Sequence, residues 1–324
     1  MLEIFMYPVS GIMKLWHILF AQFFDSSLAW LVAIVFLVIT IRSFIAPLNW
    51  LSVKSGRIGA LMRPEKVALD ARLKEATTVE EAMEILTAQK ELRERFKFNP
   101  AVGCLPIFII MPMFLGLYQV VLRASREGNS DHVGLLNPAD VAAFRTTLLN
   151  GVPITDFARE HKELVIPILV LALLFTVLNM VITLYRSYLT TQFDKKFNRR
   201  MLWFTVLLIF LVPWLLWSTA MNAPIPVAII YYWGWTYLYT LIQTVVYELI
   251  LRRRYPLPEE VHAFRRETIG RWRSKEEKRK KKARSGKEAK KQAKAKRKEN
   301  MRIVAEARKQ LKSNSQQEAQ KEAE

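Results

Sequence analysis

The stretch Leu28 to Trp50, LAWLVAIVFLVITIRSFIAPLNW, sets the environment in which the whole chain must fold. A helix needs about 20 predominantly apolar residues to cross a bilayer core, and this run supplies them. Its one charge is Arg42, about two-thirds of the way along. Placing an arginine at the centre of a span costs roughly 2.5–3.5 kcal/mol on insertion scales. Two readings of Arg42 stand at this point. It snorkels towards Trp50, eight residues on, or about 12 Å along a helix, covering part of that distance with its long stem. Alternatively, it is a charge retained for function.

Composition places this span in a larger membrane domain. The 324 residues are 52% hydrophobic, yet the net charge is +19. These properties are segregated, with apolar runs dominating up to residue 251 and Lys/Arg beyond it. That pattern is an integral membrane domain followed by a basic tail. Cys104 is the single cysteine, which excludes a disulfide framework and a cysteine metal site. His17, His132, His161 and His262 have no metal-binding spacing, so no cofactor or metal is expected.

Taken in order, the chain reads as an all-α polytopic membrane protein with five transmembrane helices. Residues 1–27 mix apolar positions with Lys14, His17 and Gln22, as an amphipathic helix lying in the interface does. A retained, imperfect anchor is the alternative. The start lacks a basic n-region and a small-x-small cleavage site, so it is not read as a signal peptide. A core of 28–255 follows, with spans at about 28–50, 102–122, 164–185, 201–219 and 227–251. Pro47 is expected to end the first span at the water boundary.

Residues 51–98 hold ten Lys/Arg and eight Asp/Glu and read as a helical hairpin outside the bilayer. Pro64 starts one helix, running to about Glu75. Thr78-Val-Glu-Glu81 forms a capping box that opens a second helix to about Lys97. Asn99-Pro100 reads as the cap and first position of the second-span helix. Residues 123–163 read as a polar loop.

The 51–98 segment, the 186–200 loop and the tail from Arg252 hold 10, 5 and 26 Lys/Arg. The opposite side holds Lys14, five in the 123–163 loop and none in 220–226. The positive-inside rule therefore places the N-terminus outside and the C-terminus in the cytoplasm.

The tail, 256–324, is expected to be disordered or a solvated helix, having almost no apolar face to bury. Its basic residues, among them Lys280, Lys281, Lys282, Arg284, Lys290 and Lys291, suit anionic lipid or the phosphates of ribosomal RNA. Reinforcement of orientation is the blander role. Aromatic residues are nearly absent beyond Trp272, so base stacking is not expected.

Enzyme chemistry finds no support. The spans offer Arg42 and, near the end of the fifth, Glu248 four residues before Arg252, the spacing of a local ion pair. They show no paired aspartates, Ser/His pair or zinc set for intramembrane proteolysis. No GxxxxGK[ST] loop occurs. A transporter ordinarily carries several intramembrane ionisable residues and an internal repeat.

From Asn99 the sequence reads NPAVGCLPIFIIMPMFLGLYQVV. It resembles the NP-x-x-GC-LP-x-x-x-x-MP-x-F-x-x-LY signature of the YidC/Oxa/Alb membrane protein insertase family. The first span, with Thr40, Arg42, Pro47 and Leu48, resembles that family's T-x-x-x-R-x-x-x-x-PL helix, the threonine lying closer here. Tyr232-Trp233, with Gln243 ten residues beyond the Trp, resembles its LYW…Q pattern. The likeness covers roughly residues 5–255 and is nearest to a five-span bacterial member. Ile110 departs from it, standing where a Gln often precedes the MP.

The resemblance implies an insertase and chaperone for integral membrane proteins, acting alone or with the Sec translocase. Its partners would be nascent membrane proteins, the Sec translocase, the ribosome at the basic tail, and anionic lipids. It implies a polar groove holding Arg42, with Thr40, Asn179, Thr183, Trp233 and Gln243 as candidate lining. Met111, Met113, Phe114 and Tyr232 are candidate contacts for apolar substrate segments, Met being adaptable; ordinary packing is the bland role for these. The competing readings are a polytopic transporter or channel, and a membrane scaffold that recruits ribosomes through its tail.

Overall fold

The computed structural model describes the backbone of residues 2–97, 105–124, 132–282, 294 and 296–310. The side chains of residues 2, 3, 105–110, 113 and 279–282 lie outside that description. In chain order the helices are α1 (Met6–Phe20), α2 (Ser26–Leu61), α3 (Arg63–Glu75), α4 (Val79–Arg95), α5 (Leu105–Ala124), α6 (Pro138–Arg145), α7 (Lys162–Thr190), α8 (Lys196–Asn222), α9 (Val227–Arg254), α10 (Glu259–Lys282) and α11 (296–310). The chain forms two units. One comprises residues 1–54, 101–188 and 200–254, the other 55–100, 189–199 and 255–324.

Among the described residues, α2, α7 and α8 are long and apolar enough to cross a membrane. The protein is an all-α polytopic membrane protein, with one small exception in a loop. In α8 the apolar window has no buried residue, and Trp203, Phe210 and Trp214 are exposed, as lipid-facing side chains are. The 28 residues of α9 are also long enough, but its many polar-tipped aromatics lower its mean hydropathy. In the second expected span, the stretch Phe114–Ala124 is apolar, while Asn99-Pro100 and the first residues of the motif fall outside the described residues.

The core of the first unit draws on α1, α2, α5, α7 and α9, with Trp30, Ile34, Leu37, Leu117, Leu169 and Ile229 fully buried. At the start of α2, the Asp25 carboxylate accepts the Leu28 N–H at 3.1 Å, supplying a partner for an orphan donor. Contrary to expectation, Pro47 does not end α2, which continues to Leu61. Proline removes one ladder bond, and in membrane helices neighbours can satisfy the freed backbone. The Tyr247 hydroxyl donates to the Ala46 carbonyl at 2.7 Å in that turn.

The described part of the 123–163 loop, residues 132–163, is more ordered than its polarity suggests. Asn137 and Asp140 close a reciprocal capping box on α6, at 2.7 and 2.9 Å. Strands β1 (Leu148–Leu149) and β2 (Val152–Pro153) form a minimal antiparallel hairpin. Its turn residues Asn150 and Gly151 both have positive φ, as an Asn-Gly hairpin turn requires. Val133, Leu136, Val141, Phe144, Ile154 and Ala158 from this segment join the core. The carbonyls of Asp156 and Ile154 accept the N–H groups of Val227 and Ala228 at 2.9 and 2.8 Å, satisfying orphan donors at the start of α9.

Helix α1 is held from two sides. Buried Ser10 donates to the Met6 carbonyl and accepts the Leu135 N–H at 2.9 Å. At Gly116 of α5 the backbone of Phe5 comes so near that a Cβ would lie 2.2 Å from its carbonyl oxygen. Tyr7, Leu15, Ile18 and Leu19 remain exposed on its other side.

In the second unit, α3 and α4 form the expected hairpin around Ala82 and Ile85, with Leu69, Leu73, Val79, Met83 and Leu86 packed about them. Thr78 caps α4 by accepting the Glu81 N–H at 3.2 Å. Glu81 reaches back to the Thr77 N–H rather than to that of Thr78, so the box is one residue wider than its motif. In the tail, α10 is exposed over most of its length but is not solvated all round, since Val261 and Thr268 are buried and Trp272 lies against Phe193. Likewise α11 is not solvated all round, because Ala307 is fully buried against the hairpin.

Candidate functional site

Several polar residues of the first unit line a seam between α2 and α9. Tyr239, Gln243 and Tyr247 recur every four residues and so share one face of α9. The Tyr239 hydroxyl and the Ser43 hydroxyl are 3.0 Å apart. Gln243 donates through Nε2 to the Tyr247 hydroxyl at 3.0 Å and accepts a longer bond, 3.4 Å, from Asn49. Trp50 packs edge-on to Tyr247 with centroids 5.3 Å apart.

Pairing of 43 with 239, 49 with 243, and 50 with 247 means that α2 and α9 run in the same direction. Helix α7 runs with them. Thr244 of α9 donates to Asn179 Oδ1 at 2.5 Å, and Arg252 lies 6.0 Å from the ring centre of Tyr185.

Arg42 sits at one end of this seam, beside Ser43. It is half-buried, between the buried Ile41 and Ile45 and the exposed Ser43 and Phe44. Tyr237 feels its charge, and Tyr232 lies within electrostatic range of Tyr237. Among the described residues, Arg42 has no carboxylate partner. Its neighbours on the seam are hydroxyls and amides, which tolerate a cation and water without neutralising it. The ionic pair expected at the other end forms, with Arg252 Nε donating to Glu248 at 2.9 Å.

The sequence-predicted residues divide into separate places. Arg42 and Gln243 lie on the seam, and Asn179 joins it through Thr244. Thr183 lies one turn beyond Asn179 on α7, half-buried. Thr40 is elsewhere, because two residues along a helix is about 200° around it. Its hydroxyl accepts from Trp16 Nε1 at 3.0 Å and donates to Phe36, so it anchors α1. Trp233 and Tyr232 are buried in the core cluster and are packing residues first.

Met111 is exposed, Phe114 packs against the core, and the Met113 side chain lies outside the described residues. Lys280, Lys281 and Lys282 end α10, though their side chains are not described. Arg284, Lys290 and Lys291 fall outside the described residues. Ser43, Asn49, Tyr239 and Tyr247 were missed. The available signal was the four-residue recurrence of polar-tipped side chains on α9, together with Ser43 and Asn49 on either side of Pro47.

Residues 20–254 match the family model described as 60Kd inner membrane protein. The protein of Corynebacterium glutamicum named membrane protein insertase YidC is 35% identical over 300 residues, covering 85% of this chain and 71% of that protein. Its namesake in Corynebacterium efficiens is 34% identical over 308 residues, covering 87% and 76%. The one in Mycobacterium tuberculosis is 28% identical over 178 residues, covering 50% of this chain and 47% of that protein. The matched region contains every helix of the α2–α9 seam, and the chain belongs to the 60Kd inner membrane protein family, the YidC/Oxa/Alb group.

Proposed function

We propose that this chain is a membrane protein insertase and chaperone, inserting integral membrane proteins alone or beside the Sec translocase. The observation that carries this reading is the α2–α9 seam, where a half-buried Arg42, with no carboxylate partner among the described residues, heads a run of hydroxyls and amides. A substrate must bring a short hydrophilic segment across an apolar slab. A hydrated recess along the seam shortens that barrier, and the fixed cation attracts acidic groups entering it. The apolar part of the substrate then passes along the exposed faces of the spans into lipid, with no nucleotide consumed. Substrate contacts at Met111, Met113 and Phe114 suit varied apolar partners.

Five spans with the N-terminus outside and the C-terminus in the cytoplasm complete the proposal. The common direction of α2, α7 and α9 supports it, since these are the first, third and fifth spans. The tail holds the ribosome, through RNA phosphates, and anionic lipid.

Depletion of the protein should slow insertion of a small substrate with an acidic N-terminal tail; unchanged insertion defeats the proposal. Arg42→Ala should have the same effect. Losing even roughly 1.4 kcal/mol of attraction slows the step about tenfold. Arg42→Lys should retain most activity if charge is what matters. Loss in both variants, with normal protein levels, points instead to guanidinium geometry.

A further inference from the structure

Helix α11 carries Asn300, Ile303, Val304 and Ala307 on one stripe, the i, i+3, i+4, i+7 spacing of an amphipathic helix. Ala307 is fully buried, and Ile303 packs with it into the cluster formed by Ala76, Ala82 and Ile85 of the hairpin. Asn300 sits at the end of α3, where its Nδ2 donates to the carbonyls of Leu73 and Lys74 at 3.1 and 2.8 Å. These are among the last carbonyls of α3, which have no partner within their own helix. Three different observations therefore register α11 on the hairpin: an apolar stripe, a buried small residue, and a side-chain cap.

We infer that the apolar face of the α3–α4 hairpin is a receptor for an amphipathic helix, and that segment 296–310 of this chain is its resident, displaceable occupant. Displaceability follows from how little holds the segment. A helix of this length is marginal in water by itself, and its stripe buries one alanine and parts of an isoleucine and a valine. An open surface cleft of about 650 Å³ lies beside the contact, lined by Asp70, Lys74, Lys195, Asn300, Met301 and Arg308. The outward face of α11 is basic, with Lys296, Arg297, Lys298, Arg302 and Lys309 exposed, so docking displays those charges as it shields the hairpin. While docked, the segment closes the hairpin face to any other helix.

The test uses the full-length chain in lipid nanodiscs and does not depend on insertion activity. Hydrogen exchange should show residues 296–310 protected, together with the end of α3. Ala307→Glu should speed exchange in 296–310 on the order of tenfold or more and leave α7–α9 unchanged. Ala307→Ser should retain protection. A labelled peptide with the 296–310 sequence should bind the Ala307→Glu chain about tenfold or more tighter than the wild-type chain, whose own segment competes. Two results overturn the inference: exchange of wild-type 296–310 at the rate of a free peptide, or equal peptide binding to both chains.

Discussion

Lys14 and Asp140 form an ion pair where α1 meets α6, outside the spans, and His17 lies near it. Lys14 Nζ lies 2.8 Å from Asp140 Oδ2, with both groups mostly covered. The His17 ring stacks on Trp30 at 3.9 Å, and its Nε2 has no hydrogen-bond partner among the described residues. Burial lowers the His17 pKa from its ordinary 6.5, and the Asp140 charge opposes this only in part. The neutral ring is therefore the one this fold holds. Below pH 6.5 the unfolded chain takes up the proton first, so this stabilisation is complete above 6.5 and is lost as the medium acidifies. Thermal unfolding followed from about pH 8 to about pH 5, where histidine titrates, should show a falling melting temperature on the acid side. His17→Phe keeps a ring on Trp30 and removes the proton, so its melting temperature should vary less with pH. An equal acid loss in that variant rules His17 out as the cause.

At the scale of elements, close approach of α1 and α5 is set by one position. Replacing Gly116 by alanine gains up to about 1 kcal/mol of helix propensity. The new methyl, however, would lie 2.2 Å from the Phe5 carbonyl oxygen, a backbone atom that cannot rotate aside. Overpacking typically costs about 1–3 kcal/mol, so the clash wins. Gly116→Ala should lower the melting temperature and loosen α1, measured as faster amide exchange over Met6–Phe20.

Much of this scale was legible in the sequence. Pro64 and Thr78 mark the starts of α3 and α4, and the Glu248–Arg252 pair forms as its spacing implies. The continuation of α2 through Pro47 was not legible, because the turn that carries it is braced from a distance, the Ala46 carbonyl accepting from Tyr247, some 200 residues away in sequence. The order in 123–163 was written in Asn137-Pro-Ala-Asp140 and Asn150-Gly151, but charge counting over a polar loop conceals both. Likewise Thr40 and Arg42 look equivalent in a motif, whereas the geometry of a helix sends one to α1 and leaves the other on the seam.

At the scale of the whole molecule, charge is divided between an apolar body and a basic tail. From Arg252 the tail holds 26 Lys/Arg against 11 Asp/Glu. Clustered cations of this kind bind polyanions by releasing condensed counterions, so affinity falls steeply as salt rises. On the proposed reading, insertion rests on the seam and ribosome capture on the tail, so the two should separate. Deleting residues 256–324 should weaken co-sedimentation with ribosomes, and the residual binding of the truncated chain should depend less on salt than that of the full chain. Insertion of a small substrate presented after release from the ribosome should persist, with only partial loss. Complete loss of insertion on truncation would favour a scaffold that merely recruits ribosomes. Ribosome binding by the full chain that ignores salt would remove the electrostatic account of the tail and leave α10 and α11 as ordinary protein-contact helices.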